Sequence, residues 1–185
     1  MRLIKPLLFC ALLPLQPLLA AGVHQHGIAQ LDLVLEPPML AISVRSPLAN
    51  LIGFEHRPTS DQEQADWQQL KQQLQQAELQ IQLPAAADCS LSRVALHQPF
   101  MDEQPSDGHH HGHDETDRHT HDEEAHADLM VEYHYLCAEA ERLKQLELPL
   151  MQQFPGIEQL EVQLITPAGQ HLRSLSRGEQ VLSLP

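Results

Sequence analysis

Apolar and polar residues alternate in several short runs along this chain, and a period of two marks a half-buried strand. Residues 27–36 read Gly-Ile-Ala-Gln-Leu-Asp-Leu-Val-Leu-Glu, a strand. Residues 39–45 set Leu40, Ile42 and Val44 against Met39, Ala41 and Ser43, a second strand. Pro37-Pro38 separates the two, and so short a connection predicts an antiparallel pair. Residues 46–54 are apolar without alternation, which fits a short helical turn under the sheet, ended by Gly53. Residues 87–98 and 127–137 read as two further strands, and residues 157–166 and 170–176 as a hairpin about Pro167-Ala-Gly169. Residues 143–148 fit a short strand or helix, 149–156 a turn, and 181–184 a last strand.

One stretch changes period. Trp67, Leu70, Leu74, Ala77 and Ile81 recur at spacings of three and four, with Gln and Lys filling the other face. Ser60 with Glu63 three residues on is a capping box. Together they predict a helix of roughly 20 residues, closed by Pro84, with a stripe that is core rather than a cofactor box. Several strands and one main helix give an α+β domain. The expected architecture is a mostly antiparallel sheet covered on one face, one long amphipathic helix, and a long histidine-rich loop inserted between two strands. The chain divides into a signal peptide (1–22), two parts of an α+β body (23–98 and 127–185) and the loop between them (99–126).

Residues 107–126 read Asp-Gly-His-His-His-Gly-His-Asp-Glu-Thr-Asp-Arg-His-Thr-His-Asp-Glu-Glu-Ala-His, and 7 of the 13 histidines lie here. Nothing in this run is apolar enough to bury. Its imidazoles and carboxylates are ligands for Zn²⁺, and also for Ni²⁺ or Cu²⁺. The candidate ligands are His109, His110, His111, His113, His119, His121 and His126, with Asp114 and Asp117 and, from the start of the mature chain, His24 and His26. An affinity tag is the first bland alternative, but tags sit at termini and are not interleaved with acids. A solvated polar loop without chemistry is the second, and it does not account for seven histidines. A connection this long without its own elements is functional or disordered, and here it is expected to order when metal arrives.

The amino end opens with Arg2 and Lys5, continues through an apolar run, and closes on Leu-Leu-Ala-Ala-Gly22. That is the pattern of a cleaved secretory signal, too short and interrupted to span a bilayer, and it predicts a periplasmic protein without a membrane anchor. Cleavage after Ala21 would place His24 third, where the amine, two amides and the imidazole form a square-planar site suited to Cu²⁺ or Ni²⁺. The formal charge of −14 becomes about −16 once Arg2 and Lys5 leave. Such an acidic chain does not bind nucleic acid electrostatically, and it attracts cations. Cys89 and Cys137 survive processing and flank the loop, which in an exported protein reads as a disulfide. A Cys–Cys zinc site is the alternative, disfavoured by an oxidising compartment and by the absence of a C-x-x-C knuckle. Glu55-His56 and His134 beside Glu132 read as structural pairs before they read as ligands.

Several stretches together resemble the ZrgA-type family of periplasmic zinc-uptake-associated proteins. They are His24-Gln-His-Gly-Ile-Ala-Gln-Leu31, Ser46-Pro-Leu-Ala-Asn-Leu-Ile-Gly-Phe-Glu-His56, Cys89 with its strand, the His/Asp/Glu run, Tyr133-His-Tyr-Leu-Cys137 and Phe154-Pro-Gly-Ile-Glu158. The resemblance implies zinc binding through the central histidine-rich segment, a role beside zinc import with an importer or its receptor as partner, and no catalysis. Other classes fit less well. A solute-binding receptor with two α/β lobes needs roughly 250 residues or more, beyond this chain's one-domain length. A zinc hydrolase needs spaced ligands, an open position and a base, and no H-E-x-x-H, G-x-S-x-G or Gly-rich phosphate loop occurs. A periplasmic copper or nickel chaperone is the runner-up among binding proteins, and a metal-dependent envelope interaction module is a further class.

Overall fold

The computed structural model describes residues 25–100 and 127–185. The first two strands are β1 (Ile28–Glu36) and β2 (Met39–Pro47), joined antiparallel through a turn at Pro37-Pro38. Then come helix α1 (Leu48–Ile52), helix α2 (Asp61–Gln75), helix α3 (Ala77–Gln80) and strand β3 (Cys89–His97). After the connecting segment follow β4 (Asp128–Cys137), β5 (Gln145–Glu147), α4 (Leu150–Gln153), β6 (Gln159–Thr166), β7 (Gly169–Ser176) and β8 (Val181–Ser183). Six strands form one sheet in the order β3-β4-β2-β1-β6-β7, and β5 pairs with β8 in a separate ribbon. The α+β reading holds, with a sheet more mixed than expected. All neighbours in the large sheet are antiparallel except β1 and β6, which run parallel.

Alternation decides the faces. Ala29, Leu31, Leu33 and Leu35 of β1, Leu40, Ile42 and Val44 of β2, Leu129, Val131, Tyr133 and Tyr135 of β4, and Leu160, Val162 and Leu164 of β6 are buried on one side. The helices cover that side, where Leu48, Trp67, Leu70, Leu74, Leu150 and Phe154 join the same core. Gln30, Asp32, Glu161 and Gln163 stand exposed on the other side. α1 ends as its sequence suggests, with Gly53 left-handed at φ 86°. A side chain at Gly156 would collide with the Asn50 backbone, so the Phe154-Pro-Gly156 turn packs directly on α1.

The long helix is shorter than its periodicity. The capping box is present: Ser60 Oγ accepts from Glu63 N (3.2 Å), and the Glu63 carboxylate accepts from Ser60 N (3.0 Å). α2 runs for 15 residues, and the chain then breaks at Gln76 before α3 resumes the stripe with Ala77, and Ile81 continues it just past the end of α3. The break is stabilised by donors to the last carbonyls, which a helix end leaves without partners. Gln76 Nε2 donates to Gln72 O (3.3 Å), Gln80 Nε2 to Gln73 O (3.1 Å) and Tyr133 Oη to Leu74 O (2.8 Å). Residues 143–148, which fitted strand or helix, contain β5, and the turn at 149–156 holds the single helical turn α4.

Cys89 and Cys137 are bonded, as expected for an exported chain. From that bridge, simple pairing would set His97 opposite Leu129. Instead Ser92 bulges out, the register shifts between Leu91 and Arg93, and His97 lies opposite Met130.

Candidate metal centre

The strand directions bring one end of the sheet together. Gln30 pairs with Arg45, Arg45 with Met130, and Met130 with His97, so the start of β1, the end of β2, the start of β4 and the end of β3 lie side by side. The histidine-rich segment leaves the sheet and returns to it at this end. On the departing side, Phe100 packs edge-on against Trp67 (ring centroids 6.1 Å apart), and its carbonyl accepts from Arg57 Nη2 (3.3 Å). On the returning side, Ala127 O accepts from Leu48 N (2.8 Å) and Asp128 pairs with Pro47.

At the same end the chain fixes a histidine–carboxylate pair. Asn50, buried on α1, accepts from Gly27 N through Oδ1 (2.8 Å) and donates through Nδ2 to Ile28 O (3.0 Å) and Ser46 Oγ (3.2 Å). Gly27, at φ 83°, also accepts from Glu158 N (2.7 Å) and Gln159 N (2.9 Å). Backbone so held on both sides sets the direction of His26, whose Nε2 lies 3.1 Å from Glu55 Oε1. The His26 side chain is 66 % exposed and that of Glu55 17 %, so an ion can approach from solvent. Next in the chain, His56 stacks on Phe54 (5.0 Å), and its Nε2 lies 3.6 Å from Glu63 Oε1. The other Glu63 oxygen accepts from Thr59 N, Thr59 Oγ1 and Ser60 N. The backbone N–H of Ser60 first, and that of Thr59 next, hold the Glu63 carboxyl down to about 2.

The sequence-predicted ligands divide accordingly. His109, His110, His111, His113, His119, His121, His126, Asp114 and Asp117 lie outside the described residues, as does His24. His26 is placed at the end of the sheet where the segment's roots lie, with Glu55 as a partner that sequence reasoning had set aside as structural. Asn50 was missed. Its only signal was an amide inside an apolar stretch, where a buried polar group must be hydrogen-bonded. His56, read as a pair with the adjacent Glu55, lies against Phe54 and beside Glu63. His134 lies beside Glu132 as read from the strand (3.5 Å). Cys89 and Cys137 are consumed in the disulfide, which removes the thiolate zinc site. Among the described residues no three His, Cys, Asp or Glu side chains stand assembled as a metal-holding group. None of the described helices is long and apolar enough to cross a membrane.

Imidazole and carboxylate at one rim, in a chain whose histidine-rich segment is built of the same two groups, are donors of the kind Zn²⁺ takes. No curated protein matches the chain. Residues 23–184, which include every described element, match the family described as ZrgA family zinc uptake protein, and the chain belongs to that family.

Proposed function

We propose that this chain is a periplasmic zinc-binding protein that captures or buffers Zn²⁺ through its histidine-rich segment and passes it toward a zinc importer or that importer's receptor. The carrying observation is convergence: the segment's two roots and the His26–Glu55 pair occupy one end of the sheet. In this reading His109, His110, His111, His113, His119, His121 and His126, with Asp114 and Asp117, supply exchangeable ligands. His24 and His26 receive or share the ion at the rim. Clustered, exchangeable ligands suit capture and release, and they do not preorganise a transition state, so the role is binding without catalysis. The carboxylates concentrate cations near the segment over roughly 8 Å at physiological salt.

The test replaces residues 108–125 by a short Gly/Ser linker and counts bound Zn²⁺ by native mass spectrometry, with Ni²⁺ and Cu²⁺ as competitors. The body keeps its cooperative melt, because the segment contributes no apolar area, and most of the zinc is lost. Retention of every bound zinc would move the site to His24, His26, His56 or His134 and refute the proposal.

A further inference from the structure

The outer face of β3 and β4 carries two histidines beside one carboxylate. His97 Nε2 lies 3.6 Å from Glu132 Oε2, and His134 Nε2 lies 3.5 Å from the same oxygen. Both separations are long for charge-assisted hydrogen bonds, which run about 2.7–2.9 Å. They are close to the spacing of neighbouring ligands on a tetrahedral zinc, about 3.3 Å when each bond is about 2.0–2.1 Å. We infer that His97, Glu132 and His134 form an accessory site for a divalent cation, zinc first among them, with two imidazoles and one carboxylate as ligands.

The bulge at Ser92 supports this assignment independently. In the register set by the Cys89–Cys137 pair, His97 would face inward with Leu129. One extra residue reverses every later side chain, because strand side chains alternate with period two. Val94 and Leu96 thereby turn inward opposite Tyr133 and Val131, and His97 turns outward to the face of Glu132 and His134. Ser92 Oγ donates to His134 O (2.9 Å), which ties the bulge to the strand that carries two of the three ligands. The side chains are accessible, at 53 % for His97, 32 % for Glu132 and 39 % for His134. They meet at one oxygen and are not closed about one point, so binding requires side-chain rotation, which their exposure permits. Arg45 and Arg93 share the face and oppose a cation. Arg45 is turned onto Met130 Sδ (3.6 Å), and Arg93 stands opposite His134, so the site binds more weakly than an all-anionic one. Its place beside the departing root suits an ion in transit between segment and body.

The test uses the full mature chain with the seven segment histidines, 109 to 126, replaced by Asn. Zn²⁺ alone is titrated while the imidazole nitrogen signals are followed by NMR. The site predicts that the His97 and His134 ring signals both shift to metal-bound positions and saturate together near one equivalent. Glu132→Gln weakens that binding at least tenfold, and H97N with H134N abolishes it while the melt stays cooperative. Zinc that leaves either ring signal in place, or an affinity unmoved by Glu132→Gln, would overturn the accessory site. Neither result touches the segment's own role, which the linker replacement tests separately.

Discussion

Asn50 ties together three separate pieces of this rim. Its amide bonds Gly27 N, Ile28 O and Ser46 Oγ from a nearly water-free position. Asn50→Ala removes the partner of two part-buried backbone groups and is expected to cost about 1–3 kcal/mol, read from chemical denaturation. An effect within about 0.5 kcal/mol would show that water replaces the amide. Glu63 makes a prediction about pH. Its folded pKa of about 2 lies below the ordinary 4.5, so the ionised cap stabilises the fold fully above 4.5, and the contribution is lost as pH falls toward 2. Glu63→Gln should therefore melt below the wild type at neutral pH, with the difference shrinking from pH 4.5 down to about 2. A difference that persists unchanged to the acid limit would contradict the assignment. At this scale the sequence was legible wherever spacing carries chemistry. Ser60 and Glu63 could be read as a capping box because the motif is local. Glu55 could not be read as the partner of His26, because 29 residues separate the two and only the fold brings them together.

Elements were legible where the pattern is periodic, and their ends where a residue forces them. The strands, the turn at Pro37-Pro38 and the Gly53 stop all follow from alternation and turn chemistry. The length of α2 did not. Its apolar stripe passes unbroken through Leu74, Ala77 and Ile81, while the backbone ends its helix at Gln75. Glutamine side chains and a tyrosine from another element take over the last carbonyls, and periodicity carries no trace of that. Burial pushes the Tyr133 hydroxyl far above its ordinary range, so it is a neutral donor at any working pH, committed to Leu74 O at 2.8 Å. Tyr133→Phe keeps the ring and removes the donor, and is expected to destabilise the protein by about 1–3 kcal/mol in thermal or urea unfolding. A neutral substitution would mean that the helix end needs no cap from the sheet. The Ser92 bulge was likewise invisible beforehand, because a one-residue register shift is a property of two strands and not of either sequence alone.

At the scale of the molecule, the sheet puts its two fastenings at opposite ends of one strand pair. Cys89–Cys137 ties the far end of β3 and β4, and the histidine-rich segment leaves and returns at the near end. The bridge thus closes a loop of about 49 residues around the segment, a constraint on the unfolded chain of roughly 4 kcal/mol on the chain-entropy account. The sequence made the bridge and the segment legible, because cysteine parity and histidine density are compositional. It left the parallel β1–β6 pair unread, since strands that far apart in the chain announce no partner. The central claim, histidine capture of zinc, is tested most directly by calorimetric titration of Zn²⁺ between about pH 7.5 and 5.5. The wild type is compared with the chain whose seven segment histidines are Asn. Free imidazole titrates near 6.5 and only its neutral form binds metal, so each histidine ligand that was charged releases a proton. The wild type should lose affinity steeply over this interval, with a limiting slope near three powers of ten per pH unit for about three histidine ligands. The Asn variant should lose most of its zinc even at pH 7.5. An affinity flat across the interval, or unchanged in the variant, would contradict histidine capture by this segment.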